Sequence, residues 1–143
     1  MPYRYRGDIA TADAAFEAWG ESREAMFIAA ADATMNVMVG DLATIADRER
    51  RTIEVRDEAL DLLLFQFLGE LVFYKDAERL LLRARSVTIE EAPGGFTARA
   101  EAYGETIDRH KHELIVDVKA VTLHRFEVEQ TAEGWIARVI LDL

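Results

Sequence analysis

The hydrophobic residues of this chain change their period near residue 80, and that change limits the fold more than any other feature. Leu60, Leu63, Leu64, Phe67, Leu68 and Leu71 recur at i, i+3, i+4, i+7, i+8 and i+11, the spacing of one face of an α-helix. The pattern ends near Tyr74–Asp76. From Leu80 the period is two. Leu82 and Ala84 share a face, whereas Val87 and Ile89 have the opposite parity, so a bulge or a change of layer is predicted near Ser86. Pro93-Gly94-Gly95 reads as a turn, and Phe96, Ala98, Ala100 and Ala102 alternate along the return strand of a hairpin. Glu105 to Glu113 reads as a polar loop. Val116 and Val118 are expected to open the next strand, with a parity change near Ala120–Val121. Phe126 and Val128 lead to a turn at Thr131–Gly134. In the last strand Trp135, Ala137, Val139 and Leu141 share one face, and Arg138, Ile140 and Asp142 the other.

Before residue 60 the two periods alternate. In TADAAFEAW, within residues 3–19, Ala12, Ala14, Phe16 and Ala18 fall on one face and Thr11, Asp13 and Glu17 on the other, which predicts a strand closed by Gly20. Ser22 is suited to cap a helix, with Glu24 in its first turn where the helix dipole favours an anion. Met26, Ala30, Ala33 and Val37 then follow helical spacing, and Gly40 is a fitting stop. The small alanine face implies close packing against a sheet. Asp41 to Arg51 reads as a connection, Thr52–Val55 as a short edge strand and Asp57 as the cap of the second helix. The order is strand, helix, strand, helix, then four or more strands. That order predicts one α+β domain over residues 1–143, with two helices on antiparallel or mixed β-sheet layers and not a doubly wound sheet.

The totals narrow the function. No apolar run approaches the roughly 20 residues of a membrane span, the first residues lack the apolar centre of a signal peptide, and there is no cysteine, which excludes thiolate chemistry. Together these point to the cytoplasm and away from a membrane. With 17 basic against 27 acidic residues the formal net charge is −10. Such a chain is poorly suited to grip a phosphate backbone by itself and better suited to a basic protein or a cation. Gly-rich phosphate loops, nucleophile elbows and zinc-helix motifs are absent from the sequence. His110 and His112 have the spacing of two strand imidazoles pointing one way, but no third ligand is near, so an exposed loop pair is preferred to a metal site. His124, where a strand turns polar, reads as a hydrogen-bonded structural histidine. Asp13, Asp142 and a terminal carboxylate are oxygen donors of the kind Ca²⁺ and Mg²⁺ require. Nothing local brings Asp13 to Asp142, and both read equally well as solvated strand positions.

Four segments go beyond periodicity. TADAAFEAWG, FQFLGELVF, ETIDRHKHELIVDVKAVTLHRFEV and the tail GWIARVILDL resemble, in order and over nearly the whole chain, the archease family of RNA-ligation cofactors. The resemblance implies a non-catalytic activator of an RtcB-type RNA ligase. That ligase joins 2′,3′-cyclic phosphate or 3′-phosphate ends to 5′-hydroxyl ends; the activator promotes guanylylation of the ligase histidine and multiple turnover in tRNA splicing or RNA repair. RNA and GTP would be met only through the ligase. The resemblance also implies a divalent cation, calcium before magnesium or manganese, held by Asp13, by Asp142 and by the terminus at Leu143. It matches the family's functional lysine to Lys119, and the polar signature positions to His112, Asp117 and His124. Asp41 matches an acid that follows the first helix, and Glu70 an acidic position on the second. Ile9 and Ala10 stand where the family has Asp-His, and Leu123 where it has a tyrosine. Two alternatives from other classes remain: a metal-dependent enzyme using Asp13, Asp142 and His124 on a small substrate, and an interaction domain without metal.

Overall fold

A computed structural model describes residues 2–7 and 13–143. Ile9 and Ala10, where the chain departs from the family pattern, lie outside the described residues, as do Thr11 and Ala12 of the expected first strand. Within them the chain runs β1 (Tyr3–Tyr5), β2 (Ala14–Gly20), α1 (Arg23–Met38), a 3₁₀ turn (Leu42–Thr44), β3 (Glu49–Asp57), α2 (Leu60–Glu78), β4 (Leu80–Ala92), β5 (Gly95–Thr106), β6 (Ala120–Thr131) and β7 (Gly134–Asp142). All strand pairs are antiparallel and form two sheets, ordered β1-β2-β7-β6 and β3-β5-β4. This is the expected α+β class, with β2 in the place of the expected first strand and β1 a further short strand paired antiparallel to it.

The helices lie between the sheets. α1 packs on β2 and β7 of the larger sheet and on β4 of the smaller; α2 packs on β6 of one and on β3, β4 and β5 of the other. Two apolar layers therefore enclose them. That explains why buried residues of α1 come in consecutive runs, Met26–Phe27, Ala29–Ala31 and Ala33–Met35, where a surface helix would show a single stripe. The alanine face was read as a contact with one sheet; small side chains in fact let α1 fit between two. Phe27 of α1 stacks on Phe67 of α2 at 5.5 Å between ring centroids, and Phe65 meets Phe126 of β6 edge-on.

Several local signals act as expected. The Ser22 hydroxyl accepts the Ala25 N–H at 3.0 Å and caps α1. The β4–β5 register slips between Ala84 and Ser86, leaving Arg85 as the extra residue. The slip puts Leu82, Ala84, Val87 and Ile89 all against the core. Gly94 adopts a φ of 100° in the β4–β5 turn, a conformation that favours glycine.

Three boundaries differ from expectation. β3 begins at Glu49 and extends through Asp57, because it pairs with β5 along its whole length. Asp57 does not cap α2: its carboxylate accepts from the Gln66 amide and the Ala59 N–H, and the cap position is Ala59 without a side-chain bond. Val116 and Val118 do not open β6, which starts at Ala120. Residues 107–119 instead form a strap from the smaller sheet to the larger one. The Ile107 N–H donates to the Arg79 carbonyl just beyond α2, the Gly40 N–H to the Glu113 carbonyl, and the Ile115 N–H to the Met38 carbonyl at the end of α1. The strap thus satisfies a helix-end carbonyl that the helix itself cannot. Among the described residues no helix is long and apolar enough to cross a membrane.

Candidate functional site

The ladder between β2 and β7 ends with Ala14 opposite Leu141. Asp13 is the next residue before that pair on its strand and Asp142 the next after it on β7, so in the antiparallel register the two carboxylate residues stand across from each other at one end of the larger sheet. Asp13 is exposed; Asp142 and Leu143 are half-buried, and Leu143 packs on the core. The third strand of this end is β6, where Ala120 pairs with Asp142. The preceding Lys119 donates its N–H to the Asp142 carbonyl at 2.8 Å. Its side chain is exposed. Asp13, Lys119 and the Asp142–Leu143 pair therefore meet at one sheet end although they come from three separate parts of the chain.

Lys119 is held from behind by a residue that periodicity did not single out as functional. Lys75 of α2 is only 5% exposed. Its ammonium donates to the Asp117 carboxylate at 2.5 Å and to the Val118 carbonyl at 2.7 Å, and it also pairs with Asp76. Burial alone would lower its pKa, but the Asp117 and Asp76 carboxylates more than offset this and raise it. Asp117 thereby acquires a definite place, as the exposed partner of a buried cation. The sequence held a signal: Lys75 continues the apolar series Leu64, Leu68, Leu71 at helical spacing, and a lysine within such a stripe needs a buried partner.

The other expected residues do not join this end. His112 is buried, with Nε2 at 2.9 Å from Glu105 and Nδ1 accepting the Asp108 N–H; in these bonds it braces the start of the strap. Glu105 also accepts the Ala46 N–H and pairs with Lys111 and Arg48. Burial works to raise its pKa, yet these donors together hold it down to about 2. His110 is exposed in the same stretch, so the two imidazoles do not form a pair. His124 lies in a bulge of β6, where four residues between Thr122 and Glu127 stand against one residue of β7. Leu123, His124 and Arg125 are exposed there, and Arg125 takes a φ of 54°. Asp41 accepts the Ala43 N–H and caps the 3₁₀ turn. Glu70 is half-buried on α2.

Oxygen donors at Asp13, Asp142 and the Leu143 main chain have the chemistry of a hard-cation site. Their side chains number only two: among the described residues, no three His, Cys, Asp or Glu side chains group to hold a metal ion.

The whole-chain comparisons follow the same lines. A family model of the Archease protein family matches residues 3–143. The chain is 38% identical over 134 residues to the protein archease of Pyrococcus abyssi, covering 93% of this chain and 94% of that one. It is 40% identical over 134 residues to that of Methanothermobacter thermautotrophicus, with the same coverage. The solution structure of a Methanobacterium thermoautotrophicum protein superposes with a TM-score of 0.85, at 36% identity and 99% coverage of both chains. A Thermotoga maritima crystal structure described as an archease, possible chaperone, shares the fold at a TM-score of 0.56 and 17% identity, over 94% of this chain and 93% of that one. With a family match spanning residues 3–143 and relatives at this identity along nearly their whole length, the chain belongs to the archease family.

Proposed function

We propose that this protein is an accessory factor of an RtcB-type RNA ligase, which it activates by promoting guanylylation of the ligase histidine and repeated turnover. It carries no covalent step itself, and it meets RNA and GTP through the ligase. The observation that carries the reading is the meeting of Asp13, Lys119 and Asp142 at one sheet end, the positions to which the family resemblance assigns the metal and the functional lysine. Asp13, Asp142 and the main-chain oxygens of Leu143 would hold a divalent cation, calcium first and magnesium or manganese next. Such a cation supplies charge neutralisation for phosphate groups at the ligase centre. Lys119, exposed beside it, offers an ammonium to a phosphate or to a ligase carboxylate. The net charge of −10 suits encounter with a basic entrance on the ligase.

The test is stimulation of a cognate ligase by folded Asp13→Ala and Asp142→Ala variants, with calorimetric titration of Ca²⁺ and Mg²⁺ alongside. Loss of both cation binding and stimulation supports the reading. Full stimulation by both variants rejects the role of the two carboxylates.

A further inference from the structure

Three consecutive apolar residues of the strap face solvent: Leu114, Ile115 and Val116 are 42%, 57% and 43% exposed. They form a ridge between two clefts. One, of about 220 Å³, runs toward Met38 and Lys75 and shares all three residues. The other, of about 320 Å³, is lined by Ile115, Val116, Tyr5, Val37 and Asp13. Exposed apolar residues in sequence are costly to leave in water and mark contact surfaces when they recur in one patch.

The ridge is also rigidly mounted. Before it, the Gly40 N–H binds the Glu113 carbonyl; within it, the Ile115 N–H binds the Met38 carbonyl. After it, the buried Lys75 clamps Asp117 and the Val118 carbonyl. A loop that merely crossed the surface would not need four anchors over six residues. Anchoring of this kind removes the ordering cost that a flexible contact segment incurs on binding.

We infer that this ridge is the docking surface for the ligase partner; the inference rests on the functional reading above and names the surface it requires. Asp13 lies in the same cleft as Ile115 and Val116, so a partner engaging the Asp13–Asp142 end covers the ridge as well. Charge defines the partner further. Exposed Asp13 and Glu113 flank the apolar residues on a chain of net charge −10; Asp117 beside them is paired with Lys75, and Arg6 lines the cleft that holds Asp13. The complementary surface is an apolar pocket or side-chain cluster rimmed by lysine and arginine, with the apolar contact setting affinity and the rim setting orientation. A second copy of this chain would set acid against acid across the same contact and is disfavoured.

The experiment measures binding to the cognate ligase by calorimetry for the intact chain, for the Ile115→Ser/Val116→Ser double variant and for Phe73→Ser, which alters an apolar residue 55% exposed on α2. The expected result is a loss of affinity of roughly tenfold or more for the double variant and little change for Phe73→Ser. The unfolding midpoint and Ca²⁺ titration of the double variant should match those of the intact chain, which separates docking from folding and from the cation site. Unchanged affinity of the double variant overturns the ridge and leaves the functional reading standing. An intact chain that neither binds nor stimulates the ligase overturns the functional reading, and the ridge assignment with it. Sedimentation that shows a dimer of the intact chain, dissociated by the double substitution, assigns the ridge to self-association and overturns the ligase as its occupant.

Discussion

Lys75 carries more than its own charge. Through the Val118 carbonyl it fixes the residue before Lys119, whose N–H holds the Asp142 carbonyl. Lys75→Met keeps the volume and apolar stem but removes the donors. We expect that variant to lose about 1–3 kcal/mol of global stability, because the buried Val118 carbonyl loses its donor, whereas Asp117 and Asp76 are largely exposed and regain water. Amide exchange at Lys119 should rise by roughly tenfold or more, since local opening no longer breaks the clamp; unchanged protection there would remove Lys75 from the account of the site. Glu105 gives a second residue-scale prediction. Its pKa is held at about 2, below the ordinary 4.5, so its contribution to stability is present above pH 4.5 and is lost as pH falls toward 2. Glu105→Gln should be less stable at neutral pH by about 1–3 kcal/mol, the cost of weakening a buried hydrogen-bonded cluster. The gap between the two proteins in urea denaturation should close over that acid window. The remote partners of neither residue were legible beforehand. Asp117 and Val118 lie more than 40 positions from Lys75, and Ala46 lies 59 from Glu105, distances over which periodicity carries no information.

At the scale of elements, the bulge in β4 is a device for phase. The inward set Leu82, Ala84, Val87 and Ile89 changes parity once, and Arg85 absorbs the change. Deleting Arg85 leaves Ala84, Ser86 and Val87 opposite Ala102, Glu101 and Ala100, their present partners, and removes only an exposed ion pair with Asp47. The deletion variant should therefore fold, with a loss of about 1 kcal/mol or less by urea titration; a molten or unfolded product would show that the bulge supplies needed sheet curvature. The bulge, the Ser22 cap, the Pro93–Gly94 turn and the two helices were legible because each is written within a few neighbouring residues. The strap was not. Val116 and Val118 have the alternation of a strand, but the strap's backbone groups bond to the ends of α1 and α2, and tertiary partners override a short periodic run. In β6 the parity change expected at Ala120–Val121 occurs between Thr122 and Glu127, where a left-handed Arg125 turns the chain back into register.

At the scale of the molecule, two sheets enclose two helices, and the larger sheet brings the two ends of the described chain together. This closure makes Asp13 and Asp142 neighbours; from spacing alone they were unrelated, and only the resemblance joined them. The sandwiching of the helices was likewise hidden, since an alanine-rich helix packs closely on one sheet or on two. The acidic surface has a kinetic consequence. Association with a basic ligase surface should slow by about tenfold or more as salt rises from roughly 0.05 to 0.5 M, because screening removes steering; stopped-flow rates independent of salt would exclude electrostatic docking. The central claim, that this protein accelerates the activation of an RNA ligase, is tested most directly by the single-turnover rate of guanylylation of the ligase histidine with GTP, measured with and without the protein. The account predicts a rate increase that depends on Asp13 and Asp142; an unchanged rate at saturating protein would contradict it.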